Sequence, residues 1–93
     1  MNIKERKLCE MYFKKMVIER IREARIAKGW TQAELAEAID VSHEFIRSIE
    51  SFSGKKTISL YTVWRIAKAL NISLDILLYF DFKLFDHIIE KQC

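Results

Sequence analysis

Apolar residues recur along the chain at the three-to-four-residue spacing of a helix face rather than the alternation of a strand. In the first sixteen residues Leu8, Met11, Tyr12 and Met16 keep roughly that spacing with lysines between them, which predicts an amphipathic arm leading into the next helix. Val17, Ile18, Ile21 and Ala24 continue the stripe. Gly29 stands where a helix-ending residue with a left-handed backbone is wanted, so helix 1 should end near Lys28. Thr31-Gln32-Ala33-Glu34 has the T-x-x-E form of a capping box, in which the threonine hydroxyl and the glutamate each accept from an otherwise unpaired backbone N–H. A second helix therefore starts there, with Leu35, Ala36 and Ile39 facing inward and small Ala36 leaving room for a crossing helix. Asp40 tolerates a left-handed backbone, Val41 is apolar, and Ser42 is placed to cap a third helix. The two short helices are thus joined by a turn of about three residues.

In the third helix Ile46 and Ile49 share one face, while Glu44, Arg47, Ser48 and Ser51 lie opposite at i, i+3, i+4 and i+7. A loop from Phe52 to Ile58 follows and contains Gly54-Lys55-Lys56. Ser59 caps a fourth helix whose Leu60, Val63, Ile66, Ala67 and Leu70 form a broad apolar face with Trp64 on its margin, and Asn71 ends it. Ser73 opens a fifth helix through Leu74, Ile76 and Leu77 toward Phe80, and the tail adds Phe82, Leu84, Phe85, Ile88 and Ile89. The pattern predicts an all-α chain in three parts: an amphipathic arm over 1–16, a helical domain over 17–80 and a hydrophobic, helical tail over 81–93. No internal repeat or low-complexity segment interrupts it.

Composition narrows this further. A chain of 93 residues is too short for a second independent domain or a doubly wound sheet, and its 51% hydrophobic and 31% charged residues supply a core and a wet surface. Proline is absent and glycine occurs twice, which withholds the turns that an all-β chain needs. Two cysteines, Cys9 and Cys93, build no disulfide framework, and neither a secretory signal nor a run of about 18 apolar residues is present, so a cytoplasmic location is expected. His43 and His87 are isolated from other ligand residues, which leaves no metal site to propose. The acidic cluster Glu34, Glu37, Asp40, Glu44 and Glu50 comes with no phosphate-cradling loop and no nucleophile beside a base, so neither catalysis nor a cofactor is expected.

The net charge of +3 is modest, but it is unevenly spread. Residues 1–28 carry nine basic side chains against four acidic ones; residues 29–51 carry Arg47 alone against five acidic ones; Lys55 and Lys56 then restore positive charge. Such alternation fits solvated helix faces as well as a nucleic-acid surface.

The run RIAKGWTQAELAEAIDVSHEFIRSIE, followed by SLYTVWRIAKALNISLDILL, decides between them. Over residues 21–78 the chain resembles the phage-repressor, or Cro-like (XRE-type), helix-turn-helix domain, a lambda-repressor-like globule of five helices. The resemblance implies a sequence-specific regulator of transcription, a repressor or a restriction-modification or mobile-element controller, that binds double-stranded DNA. In this arrangement the third helix enters the major groove and the second lies across the backbone. His43, Glu44 and Ser48 match the family's base-contacting positions, with Arg47 adjacent. Arg47 is suited to guanine or phosphate, Glu44 to cytosine N4, and His43 and Ser48 to several edges, while Phe45 either packs or meets a thymine methyl. By the same resemblance Gln32 binds a phosphate and buttresses the reading helix, and Arg25 and Glu50 form a structural ion pair. Lys55, Lys56, Arg22, Lys28, Ser59 and Tyr61 are the expected backbone contacts. The chain departs from the pattern in a loop after Glu50 about two residues longer than common, in Ser51 and Ile58 where relatives carry glycine and proline, and in Asp40 in place of a turn glycine.

A single short reading helix touches few base pairs, and the tail is more apolar than a domain of this size easily covers. A homodimer on an inverted repeat is therefore expected, with Leu77, Phe80, Phe82, Phe85, Ile88 and Ile89 at the contact. The alternative is that the tail packs on the N-terminal arm. A rival function is an antitoxin-like module that uses the same fold to bind a partner protein such as a toxin.

Overall fold

In the computed structural model, residues 2–51, 58–79 and Lys83 are described. They form five helices in chain order: α1 (Ile3–Ala27), α2 (Gln32–Ala38), α3 (His43–Glu50), α4 (Leu60–Leu70) and α5 (Leu74–Leu78), with no strand among them.

The helix starts follow their caps. Thr31 and Glu34 close the capping box of α2, while the hydroxyls of Ser42 and Ser59 accept from the N–H groups of Phe45 and Thr62, three residues on. The Asn2 side chain does the same for α1 in a second capping box with Glu5. Three of the ends share one device. Gly29, Asp40 and Asn71 hold φ of 80°, 57° and 55°, and after each the next N–H reaches back to a carbonyl five residues earlier: Trp30 to Arg25, Val41 to Ala36 and Ile72 to Ala67. The left-handed residue thus ends the helix, satisfies its last carbonyls and turns the chain sharply, which lets helices of 7 and 8 residues follow one another closely.

Helices this short are unstable in isolation, so packing must hold them. Leu35, Ala36, Ile39 and Ile46 from α2 and α3 meet Val17 and Ile21 of α1, Val63, Ile66, Ala67 and Leu70 of α4, and Leu77 of α5 in one core. Each fully buried large side chain contributes roughly 1.5–3 kcal/mol. Phe45, Trp30 and Val41 pack against its edge.

Several expectations change. The arm is not a separate element: α1 runs unbroken through residues 16 and 17, and what begins at Val17 is burial, since the buried residues of α1 are Val17, Ile18, Ile21 and Arg25. Leu60, expected on the apolar face of α4, is 67% exposed, because it opens the helix at a turn that the core does not reach. Leu77, expected at a contact between two copies, is 0% exposed; it is the inward residue of α5 and belongs to the chain's own core. Phe80, Phe82, Phe85, Ile88 and Ile89 lie outside the described residues, as do Lys55 and Lys56.

Arg20 stands out in the sequence only as one of many cations. In the fold its guanidinium donates to the backbone carbonyls of Ile76 and Tyr79, tying the middle of α1 to the end of α5.

Candidate nucleic-acid interface

The site begins with the turn at Asp40. By ending α2 at Ala38 and letting Ser42 cap α3, it sets the two helices across one another, with Ala36 of the first, Ile39 just past its end and Ile46 of the second sharing the buried core. Ile46 and Ile49 occupy the inner face of α3. Its periodicity then leaves His43, Glu44 and Arg47 exposed and Ser48 half-buried. The four expected base readers therefore lie on or at the margin of the solvent face of one eight-residue helix.

Behind that helix lies a polar brace. Arg25 Nε and Nη2 donate to Glu50 Oε2 and Oε1 at 2.8 and 2.9 Å, while Arg25 Nη1 donates to the Trp30 carbonyl at 2.7 Å. Gln32 Nε2 adds a bond to Glu50 Oε1 at 3.2 Å. The Arg25 and Glu50 side chains are only 10% and 3% exposed, so the pair is withdrawn from water. A forked guanidinium on a carboxylate is the geometry that makes burial of both charges tolerable. Among the described residues no buried side-chain nitrogen or oxygen lacks a hydrogen-bond partner. The brace joins the end of α1, the start of α2 and the end of α3. Gln32, expected at a phosphate, has its amide nitrogen engaged in this brace.

On the solvent side Arg47 and Glu44 form an ion pair one turn apart, with side chains 61% and 67% exposed. Treating the readers singly misses this pair, although the i, i+3 spacing announces it. At the other end of α3 the Ser51 hydroxyl donates to the Ser48 carbonyl at 2.9 Å.

The expected backbone contacts are more scattered. The Lys28 ammonium stands 4.6 Å from the centre of the Trp30 ring, beside the brace, and Arg22 is exposed on α1. The side chains of Ser59 and Tyr61 interact within α4. The Ser59 hydroxyl caps the helix and lies 2.8 Å from that of Thr62, and the Tyr61 ring stacks on Trp64 with centroids 5.8 Å apart. The Arg65 and Lys68 cations sit over the Tyr61 and Trp64 rings.

Among the described residues no group of three or more His, Cys, Asp or Glu is placed to hold a metal, and no helix is long and apolar enough to cross a membrane.

Residues 21–77 match the family described as Helix-turn-helix, more than half of the 93-residue chain. A protein of Archaeoglobus fulgidus named as an uncharacterized HTH-type transcriptional regulator is 40% identical over 62 residues, which cover 67% of this chain and 86% of that protein. The crystal structure of a hypothetical transcription factor, NHTF, from Neisseria shares the fold with a TM-score of 0.66 at 23% identity, covering 80% of this chain and 83% of that one.

Proposed function

The chain belongs to the helix-turn-helix family, and from that premise we propose that it is a cytoplasmic, sequence-specific regulator of transcription that inserts α3 into the major groove of double-stranded DNA. It acts as a repressor or as a restriction-modification or mobile-element controller. One observation carries this reading: a helix whose inner face is locked by a buried brace presents His43, Glu44 and Arg47 to solvent with nothing from the described chain covering them. Rigidity behind and access in front are what a groove reader needs. Gln32, Arg22, Lys28, Lys55, Lys56, Ser59 and Tyr61 are the proposed phosphate contacts, and Ser48 joins the base readers.

Two copies on an inverted repeat, with half-sites about 10–10.5 base pairs apart, give the contact area that one α3 lacks. With Leu77 committed to the core, the pairing surface assigned to the tail reduces to Phe80, Phe82, Phe85, Ile88 and Ile89. The test is a titration of the chain against its native upstream region and against a random duplex of equal length. A tighter complex with the upstream region, abolished in Arg47→Ala, is the expected result; equal affinity for both duplexes overturns the proposal.

A second reading, an antitoxin-like module that binds a partner protein, is favoured by the exposed apolar and aromatic surface of Leu60, Tyr61 and Trp64 on α4. It predicts that substitution at Trp64 impairs the biological activity of the chain while duplex binding is untouched.

A further inference from the structure

We propose that Glu44 and Arg47 read a cytosine–guanine base pair as one unit, so that Glu44 makes a C·G pair obligatory in each half-site. The inference rests on α3 being the major-groove helix and specifies what that helix selects.

The argument starts from the ion pair that the free protein already holds on the outer face of α3. In water an exposed pair of this kind adds little to stability, so it does little for the fold. In the groove its meaning changes. Phosphates and most base edges repel a carboxylate: guanine O6 and N7, adenine N7 and thymine O4 are all acceptors, and only cytosine N4 and adenine N6 donate. Glu44 therefore tolerates two bases. Its partner decides between them, because Arg47 beside it needs acceptors. Next to cytosine N4 the paired guanine offers O6 and N7 together, which a guanidinium takes as a fork, whereas an A·T pair offers the arginine one acceptor at a time. A carboxylate and a guanidinium held side by side match the donor–acceptor–acceptor edge of C·G, and the pair docks without being broken. At any other base pair the contact either strands the carboxylate against acceptors or pulls the two apart. Glu44 thus selects as much by rejection as by attraction.

The test uses the whole chain. Duplexes are selected from a randomised pool at fixed salt by the wild type, and binding to the enriched site is then measured for Glu44→Ala, Arg47→Ala and the double variant. Both side chains are largely solvent-exposed, so unchanged thermal midpoints verify that folding is not the cause of any weakening. The enriched half-site should contain a C·G pair whose replacement by T·A weakens wild-type binding about 10- to 100-fold. Each single substitution should flatten discrimination at that same pair, with the double variant adding little, as expected of groups that act together. Sequence-specific binding in which Glu44→Ala keeps the full preference, or in which the position sensitive to Arg47→Ala is not C·G, overturns the inference alone. Wild-type binding with no preference among duplexes overturns both it and the regulatory function on which it rests.

Discussion

Arg25 and Glu50 show how much one residue pair governs. Both are withdrawn from water and joined by two bonds of 2.8 and 2.9 Å, so removing the arginine leaves a buried carboxylate whose remaining side-chain donor among the described residues is Gln32. Arg25→Ala should lower stability by about 3–5 kcal/mol, a fall in thermal midpoint of roughly 12 °C or more at about 4–8 °C per kcal/mol. Arg25→Lys should recover only part of it, since an ammonium cannot fork. An unchanged midpoint in calorimetry would refute the buried-brace account. Gly29 makes a cleaner case. A Cβ there meets nothing within 4 Å, so Gly29→Ala should cost only the left-handed backbone, about 1–2 kcal/mol. A larger drop in denaturant titration would mean a steric role that its surroundings do not indicate. Periodicity says nothing of a carboxylate 25 residues away from Arg25. The pairing was legible only through family resemblance. That Gln32 adds a third group to it depends on a three-dimensional convergence that no local spacing encodes.

Among the elements, those bounded by local chemistry were the most legible. Thr31, Ser42, Ser59 and Ser73 cap helices where the sequence places them, and Gly29, Asp40 and Asn71 end them, because caps and left-handed turns depend on side chains within a few residues. What escaped depends on distance. The exposure of Leu60 and the burial of Leu77 are set by which neighbours reach them; the Arg20 bonds to Ile76 and Tyr79 involve backbone carbonyls, which carry no residue-type signal. The crossing of α2 and α3 gives a prediction at this scale. Ala36 is buried at 2% exposure, so Ala36→Leu should overpack the crossing and destabilise by about 1–3 kcal/mol. If α3 is displaced rather than the core merely strained, duplex affinity falls further than that of an equally destabilised Ile66→Val control. Thr31→Ala, which removes one cap bond, should cost about 1 kcal/mol and leave duplex affinity intact at temperatures well below the midpoint.

For the whole molecule the decisive property is charge. Lys55→Ala/Lys56→Ala should weaken binding to upstream and random duplexes alike and reduce the salt slope of log K by about one for each phosphate left without its lysine. Arg47→Ala should act instead on the ratio between the two duplexes. A lysine pair that changes the ratio but not the slope would contradict this division of labour. Sedimentation equilibrium at tens of micromolar tests pairing: a monomer under those conditions removes the tail-mediated dimer. The unbroken course of α1 has a practical corollary. From Asn2 to Arg25 the helix spans about 35 Å at 1.5 Å per residue, and its far end is clamped to α3 through Glu50. A fluorophore attached at the Asn2 end would be carried on a stiff strut well away from the groove, so its anisotropy would report tumbling of the whole complex without obstructing the surface being measured.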